Sequence, residues 1–256
     1  MEILNELKRD TIMRMLAEGK RADGRKLDEF RTVRIQKNVL PNAEGSALCQ
    51  IGKTQVIAGL KFDVATPYAD RPDEGVFSTG AELVPLGSHM FEPGPPNEDA
   101  IELARVVDRG IRSSETIDLK SFAINDEKVL ALYLDLWVID YGGNLIDTAA
   151  LAAMAALLQT KMPKVEDAKI IRSEDVGNLK IGEKVVACSF SKFGTHYLLD
   201  PALDEDLGMD GKVTISTTSK HVCAVQKSGW ASTNEKDVSD LVDLAFERGN
   251  QLRSLL

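Results

Sequence analysis

Three arginines at regular spacing are the most informative chemical groups in this sequence. Arg105, Arg109 and Arg112 follow an i, i+4, i+7 pattern, which places them on one face of a predicted helix. A row of guanidinium groups suits phosphate oxygens that are spaced along a nucleic-acid strand. The alternative is a solvated face on which the arginines pair with Glu102 and Asp108. The residues alone leave both interpretations open.

An acidic segment at positions 200–210 is a second candidate site. Clustered carboxylates can bind Mg²⁺ or act as general acid and base. A solvated loop is the simpler interpretation, because no histidine or lysine lies within the segment. Its acidic residues are Asp200, Asp204, Glu205, Asp206 and Asp210.

A Gly-Gly turn precedes a long apolar segment. The backbone N–H groups at the start of a helix can hold a phosphate group, and Gly142, Gly143 and Asn144 stand where such a turn would lie. Residues 144–146 supply no positive charge, so a plain connection between a strand and a helix is the interpretation that the residues favour.

The histidines and cysteines form no motif with known chemistry. None has the spacing of a zinc site, and no Gly-x-Ser-x-Gly motif for a nucleophile occurs. Three separated cysteines predict no disulfide framework and suit a reducing, cytoplasmic compartment. We therefore expect no metal and no cofactor. These residues are His89, His196, His221, Cys49, Cys188 and Cys223.

The first half of the chain predicts short strands between two helices. Apolar residues among charges predict an amphipathic helix over 3–17, followed by the polar connector RADGR. Strand patterns begin at Arg31, and Gly52-Lys53 predicts a tight hairpin turn. Residues 64–96 predict irregular loops with AELVPL as a short strand, after which Asn97 predicts the start of the arginine-bearing helix.

The second half repeats this order of strands and then helices. Residues 128–139 alternate as a half-buried strand, and LIDTAALAAMAALL predicts a buried helix that Met162-Pro163 ends. A polar stretch follows, then two strand pairs and a final helix capped by Asn234. The sequence predicts an α+β fold with two lobes, in which helices pack on mixed β-sheets.

Composition limits the classes of function. The 256 residues are 43% hydrophobic, which predicts a globular protein, and the formal net charge is −9. This charge argues against binding nucleic acid over the whole surface, so any RNA contact must come from a local basic patch. The N-terminus mixes charges into its apolar residues, which predicts neither a signal peptide nor a membrane span.

Several segments together resemble the RNase PH family over nearly the whole chain. They are RADGR, AEGSALCQIGKTQVIAGLK, AELVPLGSHMFEPGPP, ELARVVDRGIR, LYLDLWVIDYGGNLIDTAALAAMAALL and YLLDPALDEDLGMDGKVTISTT through AVQKSG. FEPGPP followed by ELARVVDRGIR is more similar to the non-catalytic ring subunit of the archaeal exosome than to RNase PH itself or to the catalytic exosome subunit. The resemblance implies the RNase PH fold, with an N-terminal helix and connector (1–30), domain 1 (31–163) and domain 2 (184–253) in one compact unit.

The resemblance also implies the chemistry of the active family members, from which this chain departs at one position of the phosphate-binding turn. Active members use inorganic phosphate to degrade RNA from its 3′ end, and they hold that phosphate with a Gly-Gly-Thr-Arg turn. Here the turn is Gly142-Gly143-Asn144, and its arginine is missing. The family's two catalytic aspartates match Asp204 and Asp210 by this resemblance, so these two are vestigial candidates.

The resemblance implies partners as well. A hexameric ring would alternate this chain with a catalytic RNase PH-like subunit, RNA-binding cap proteins would sit on one face, and no membrane would be involved. The helix with Arg105, Arg109 and Arg112 would face the RNA path. We therefore expect a subunit without its own activity that binds RNA and structures its partner's active site. An exoribonuclease active in its own right and a purely architectural subunit are the alternatives.

Overall fold

A computed structural model describes residues 2–256, which form two large β-sheets, one β-hairpin and five α-helices. The strands are β1 (Val33–Lys37), β2 (Gly45–Ile51), β3 (Thr54–Ala65), β4 (Val76–Leu83), β5 (Ala123–Asn125), β6 (Lys128–Asp140), β7 (Lys161–Glu166), β8 (Lys169–Asn178), β9 (Val186–Phe193), β10 (His196–Leu199), β11 (Gly211–Thr217) and β12 (Val222–Gly229). The helices are α1 (Glu2–Ala17), α2 (Glu98–Ser113), α3 (Leu145–Leu157), α4 (Leu203–Gly208) and α5 (Glu235–Arg253).

The first sheet has the order β1-β2-β3-β6-β4, with β5 beside β6. The predicted hairpin at Gly52-Lys53 is confirmed, since β2 and β3 pair antiparallel across it. Strand β4 runs parallel to β6, which makes the sheet mixed. The alternating residues of β6 behave as predicted, because Leu132, Leu134 and Leu136 are fully buried.

Helix α3 lies between the two sheets and forms the centre of the core. It contacts β2 and β3 of the first sheet and β9 of the second. Residues 151–157 have no exposed surface, as expected for a helix that is apolar almost all round. Its N-terminus therefore sits where both lobes meet.

The second sheet has the order β10-β9-β11-β12, and all its neighbours are antiparallel. Both predicted strand pairs are confirmed, and α5 covers β9 and β11. Asn234 caps α5 by accepting a hydrogen bond from the Asp237 backbone at 2.8 Å. Among the residues described, no helix is long and apolar enough to cross a bilayer.

Three predictions about the connections are wrong. The strand in the 64–96 region is Val76–Leu83 rather than AELVPL, so its first half was hidden in the predicted loop. Helix α3 ends at Leu157, and Met162-Pro163 lies inside β7. The polar stretch after it forms the β7–β8 hairpin, whose largely exposed strands show no apolar alternation.

The predicted polar connector RADGR is exposed at its centre but anchored in the fold by its first residue, Arg21. Arg21 is 3% exposed and forms a salt bridge with Glu205 at 2.6 Å, whose side chain is also 3% exposed. The same guanidinium donates to the backbone carbonyls of Lys26, Leu199 and Asp200. Arg21 thus satisfies a whole set of buried acceptors at the end of β10.

We expect Arg21→Ala to lower the free energy of unfolding by about 3–5 kcal/mol, because it leaves the buried Glu205 with only the long 4.0 Å pair to Arg25. Urea denaturation of the full chain measures this. Lys20→Ala is the matched control, since its pair with Glu18 is exposed and should change stability by about 0.5 kcal/mol or less. Equal losses in the two variants would contradict a structural role for the buried pair.

Candidate functional site

The Gly-Gly turn is shaped by the backbone segments on either side of it. Gly143 has φ +95°, and a Cβ there would lie 2.5 Å from the carbonyl oxygen of Pro201. A Cβ on Gly142 would lie 2.9 Å from the Cβ of Lys53. Both glycines are therefore required by close packing between the β2–β3 hairpin and the segment before α4.

Arg31 and Thr54 hold the carbonyls of this turn. Arg31 donates to the carbonyl of Gly142 at 2.6 Å and to that of Gly143 at 3.1 Å. The Thr54 hydroxyl donates to the Gly143 carbonyl and accepts from the Gly142 N–H at 3.1 Å. The arginine that reaches the turn, Arg31, thus binds the carbonyl oxygens of the turn and comes from the segment before β1.

Asp200 ties Arg31 to the start of α3. Its fully buried carboxylate accepts from Arg31 at 2.7 Å, from Arg25 at 3.1 Å and from the Asn144 side chain at 2.7 Å. Burial would raise the pKa of Asp200, but Arg31 and Asn144 outweigh it and hold that pKa below its ordinary value. Asp200 and Asn144 both have positive φ, so this junction keeps two residues in the left-handed region.

The carboxylate of Asp206 occupies the N-terminus of α3. It accepts from the Asn144 N–H at 3.0 Å and from the Tyr141 hydroxyl at 3.1 Å, and it pairs with Lys212 at 3.2 Å. Burial would lower the pKa of Lys212, yet Asp206 outweighs burial and raises it. The side chains of Asp206 and Lys212 are only 5% and 14% exposed, so this ion pair is largely shielded from water.

Asp147 lies one turn into α3 and is completely buried. Its oxygens accept from the Asn144 side chain at 2.8 Å and from the Ser189 N–H and hydroxyl at 2.8 and 2.7 Å. Burial raises the pKa of Asp147 to about 7, even though these hydrogen bonds lower it. The carboxyl therefore titrates in the physiological range.

The structure does not bring Asp204 or Asp210 to the turn. Asp204 is exposed and pairs with Lys8 of α1 at 2.9 Å. Asp210 pairs with Arg9 of α1 at 2.6 Å and accepts from the Gly194 N–H. The vestigial catalytic role that the resemblance implies for these two stays a prediction, and in this structure both side chains pair with α1. The carboxylates of this segment that contact the turn are Asp200, through the Asn144 side chain, and Asp206, through the Asn144 N–H.

The solvated-loop interpretation of the acidic segment is also wrong. Residues 203–208 form α4, and the segment holds two buried carboxylates, Asp200 and Glu205, each paired with arginine. Sequence reasoning missed Arg21 and Arg31 as the partners of these two carboxylates, and the one signal that pointed to them was the density of arginines in the 21–31 segment. It also missed Tyr141 and Lys212 as the partners of Asp206, which no signal in the sequence indicated.

The arginine helix forms as predicted, with Asn97 accepting from the Ala100 N–H at 3.0 Å. Arg105, Arg109 and Arg112 are all exposed. Arg112 pairs with Asp108 at 2.6 Å and lies over the Phe77 ring, and Arg109 donates to Gln226 of β12 at 3.1 Å.

The side chain of Arg105 forms no hydrogen bond or salt bridge with residues 2–256. The alternative of a self-paired face thus holds for Arg112 alone.

A cleft of about 410 Å³ separates the arginine helix from the turn. It is lined by Tyr141, Asp206 and Lys212 and by Asp99 and Glu102 of α2. Phe91 from the FEPGPP segment stacks on Tyr141 at 5.4 Å between ring centroids. In the described part of the chain, no group of three or more His, Cys, Asp or Glu side chains is placed to hold a metal ion.

Comparisons with known proteins match this fold over nearly its whole length. The family described as "3' exoribonuclease family, domain 1" matches residues 29–163, and "3' exoribonuclease family, domain 2" matches residues 184–248. The chain therefore belongs to the 3′ exoribonuclease family and has the RNase PH fold, as the resemblance implied.

Two relatives and one solved structure illustrate the similarity. The chain is 43% identical to the exosome complex component Rrp42 of Thermococcus gammatolerans, with 100% of this chain and 96% of the relative covered. It is 40% identical to the same component of Methanopyrus kandleri, with 99% and 97% covered. A chain in the structure "archaeoglobus fulgidus exosome with RNA bound to the active site" is 44% identical, with a TM-score of 0.92 and 98% of both chains covered.

We expect the free energy of unfolding to fall as pH rises through about 7, because Asp147 has a higher pKa in the folded chain than in the unfolded one. Its contribution is complete below about pH 4, the ordinary pKa of aspartate. Asp147→Asn removes this titration while its amide oxygen still accepts from Asn144 and Ser189.

Urea denaturation between pH 5 and 8 measures this slope. Asp147→Asn should flatten it by up to about 1.4 kcal/mol per pH unit. The exposed Asp204→Asn is the matched control and should keep the wild-type slope. An unchanged slope in Asp147→Asn would contradict a titrating Asp147.

Proposed function

We propose that this chain is a non-catalytic subunit of an archaeal exosome ring, in which it binds RNA and helps to structure the active site of a catalytic RNase PH-like neighbour during 3′-to-5′ RNA degradation. Its relatives are exosome components, and a similar chain belongs to an exosome with RNA bound. The division into residues 1–30, 31–163 and 184–253, a cytoplasmic location and cap proteins as partners are parts of the same proposal.

The observation that carries the absence of activity is the turn at the start of α3. Phosphorolysis requires a phosphate ion to be held and aimed at the RNA backbone. Here residues 144–146 supply no cation, Arg31 is bound to the turn's carbonyls, and Asp206 accepts from the Asn144 N–H. A lost charged hydrogen bond weakens binding by about 1.5–3 kcal/mol, and a carboxylate nearby also repels phosphate.

The observation that supports RNA contact is the state of the three arginines. Arg105 is exposed without a partner among the described residues, and Arg109 holds only a neutral amide at the surface. An unpaired guanidinium keeps all its donors for phosphate oxygens. Arg112 is less available, because Asp108 neutralises its charge.

A phosphorolysis assay tests the absence of activity. The full chain, with a 3′-tailed RNA, Mg²⁺ and inorganic phosphate, should release no nucleoside diphosphates, because its turn cannot hold phosphate. Adding the catalytic partner should start their release. Reactions without phosphate are the control for contaminating hydrolytic nucleases. Phosphate-dependent shortening of RNA by the chain alone would instead favour an exoribonuclease active in its own right.

We expect Arg105→Ala with Arg109→Ala to weaken RNA binding by the assembled ring. Each lost phosphate contact should also reduce the slope of log K against log salt by about 0.7. Fluorescence anisotropy with a single-stranded RNA at several salt concentrations measures both quantities. Arg14→Ala with Lys20→Ala is the matched control, because it removes two exposed positive charges from the region of α1. Equal affinity and slope in the two double variants would favour a purely architectural subunit.

A further inference from the structure

We propose that the start of α3 is a complete site for a tetrahedral oxyanion and that the chain fills it with its own carboxylate, Asp206. On this proposal Asp206 is the residue that determines whether phosphate can bind. The inference rests on the proposed function, since it gives a physical reason for the absence of phosphorolysis. It goes further than the proposed function, because removal of the Asp206 carboxylate should allow phosphate to bind at this site.

Three donors from separate parts of the fold converge on this one carboxylate. The Asn144 N–H donates at 3.0 Å and the Tyr141 hydroxyl at 3.1 Å to one oxygen of Asp206. The Lys212 ammonium group donates to the other oxygen at 3.2 Å. A backbone N–H at a helix start, a hydroxyl and an ammonium group are the kinds of donor that hold phosphate in proteins.

The burial of Lys212 shows that the arrangement depends on an anion. Its side chain is 14% exposed, and Asp206 is its one salt-bridge partner among residues 2–256. A shielded ammonium group without a counter-charge is strongly unfavourable. The N-terminus of α3 adds its own positive end of the helix dipole at the same place. Asp206 therefore stabilises two positive centres at once.

The donors are also accessible once the carboxylate is absent. Tyr141, Lys212 and Asp206 line the cleft of about 410 Å³, so removal of the Asp206 side chain leaves the donors facing open space. Asp99 and Glu102 line the same cleft, and the volume of about 410 Å³ limits its occupant to a small ion. The ligand class that fits is therefore a free, small oxyanion, and inorganic phosphate is the probe.

The test compares phosphate binding by the wild-type chain and by Asp206→Ala. Phosphate is titrated at constant ionic strength, with chloride as the balancing anion, and amide NMR shifts near Asn144 and Lys212 report the site. Asp206→Ala should bind phosphate at least about tenfold more tightly than the wild type, a gain comparable to one charged hydrogen bond. Adding Lys212→Met to Asp206→Ala should abolish this gain.

Asp204→Ala is the matched control. It removes the same charge from the same short helix, but Asp204 pairs with Lys8 and does not contact the turn. Its phosphate affinity should equal that of the wild type. If Asp206→Ala does not fold, as judged by circular dichroism, Asp206→Ser takes its place with the same expected gain.

Two results would overturn the proposal. One is a folded Asp206→Ala or Asp206→Ser variant that binds phosphate no better than Asp204→Ala. The other is saturable binding of phosphate near Asn144 in the wild type, since the site would then not be filled. Neither result depends on RNA degradation by the ring, so the outcome is separate from that of the phosphorolysis assay.

Discussion

The junction of the two lobes depends on buried arginine–carboxylate pairs. The pairs of Arg21 with Glu205 and of Arg31 with Asp200 join the segment between α1 and β1 to α4 and to the end of β10. Buried charges are tolerated only when pairing and hydrogen bonds compensate their desolvation, and each of these groups has several partners. Because Asp200 also holds Asn144, the same pairs fix the start of the central helix.

This constraint also decides what the Gly-Gly turn can do. Arg31 binds the carbonyls of Gly142 and Gly143, and Asp206 accepts from the Asn144 N–H, so these groups of the turn are engaged within the protein. Its glycines are explained by the close approach of Pro201 and Lys53. A glycine pair before a helix can therefore serve phosphate binding or close packing. The charges of the neighbouring side chains indicate which of these two roles the turn has.

The sequence predicted the elements that have a strong period and missed the contacts between distant segments. Periodicity located α2, α3 and β6 because each buries one face or all of its surface. It could not locate the β7–β8 hairpin, whose exposed strands leave no apolar pattern. Asp206 was missed as a partner of the Gly-Gly turn because Asp204 and Asp206 lie about 200° apart on a helix, and an acidic segment does not indicate which of the two faces inward.

Charge is separated along α2, and this separation links the two parts of the site. Acidic residues precede all three arginines along the helix, and two of them, Asp99 and Glu102, line the cleft. The exception is Asp108, which lies among the arginines and pairs with Arg112. The helix dipole favours this order, so stability alone accounts for the sequence of signs. The dipole does not explain why the Arg105 side chain faces solvent without a partner among the described residues. A salt bridge between Arg105 and an acidic side chain would stabilise the helix as well. The net charge of the chain is −9, so its exposed arginines would attract an RNA strand to this part of α2. The carboxylates of the neighbouring cleft would repel the same strand.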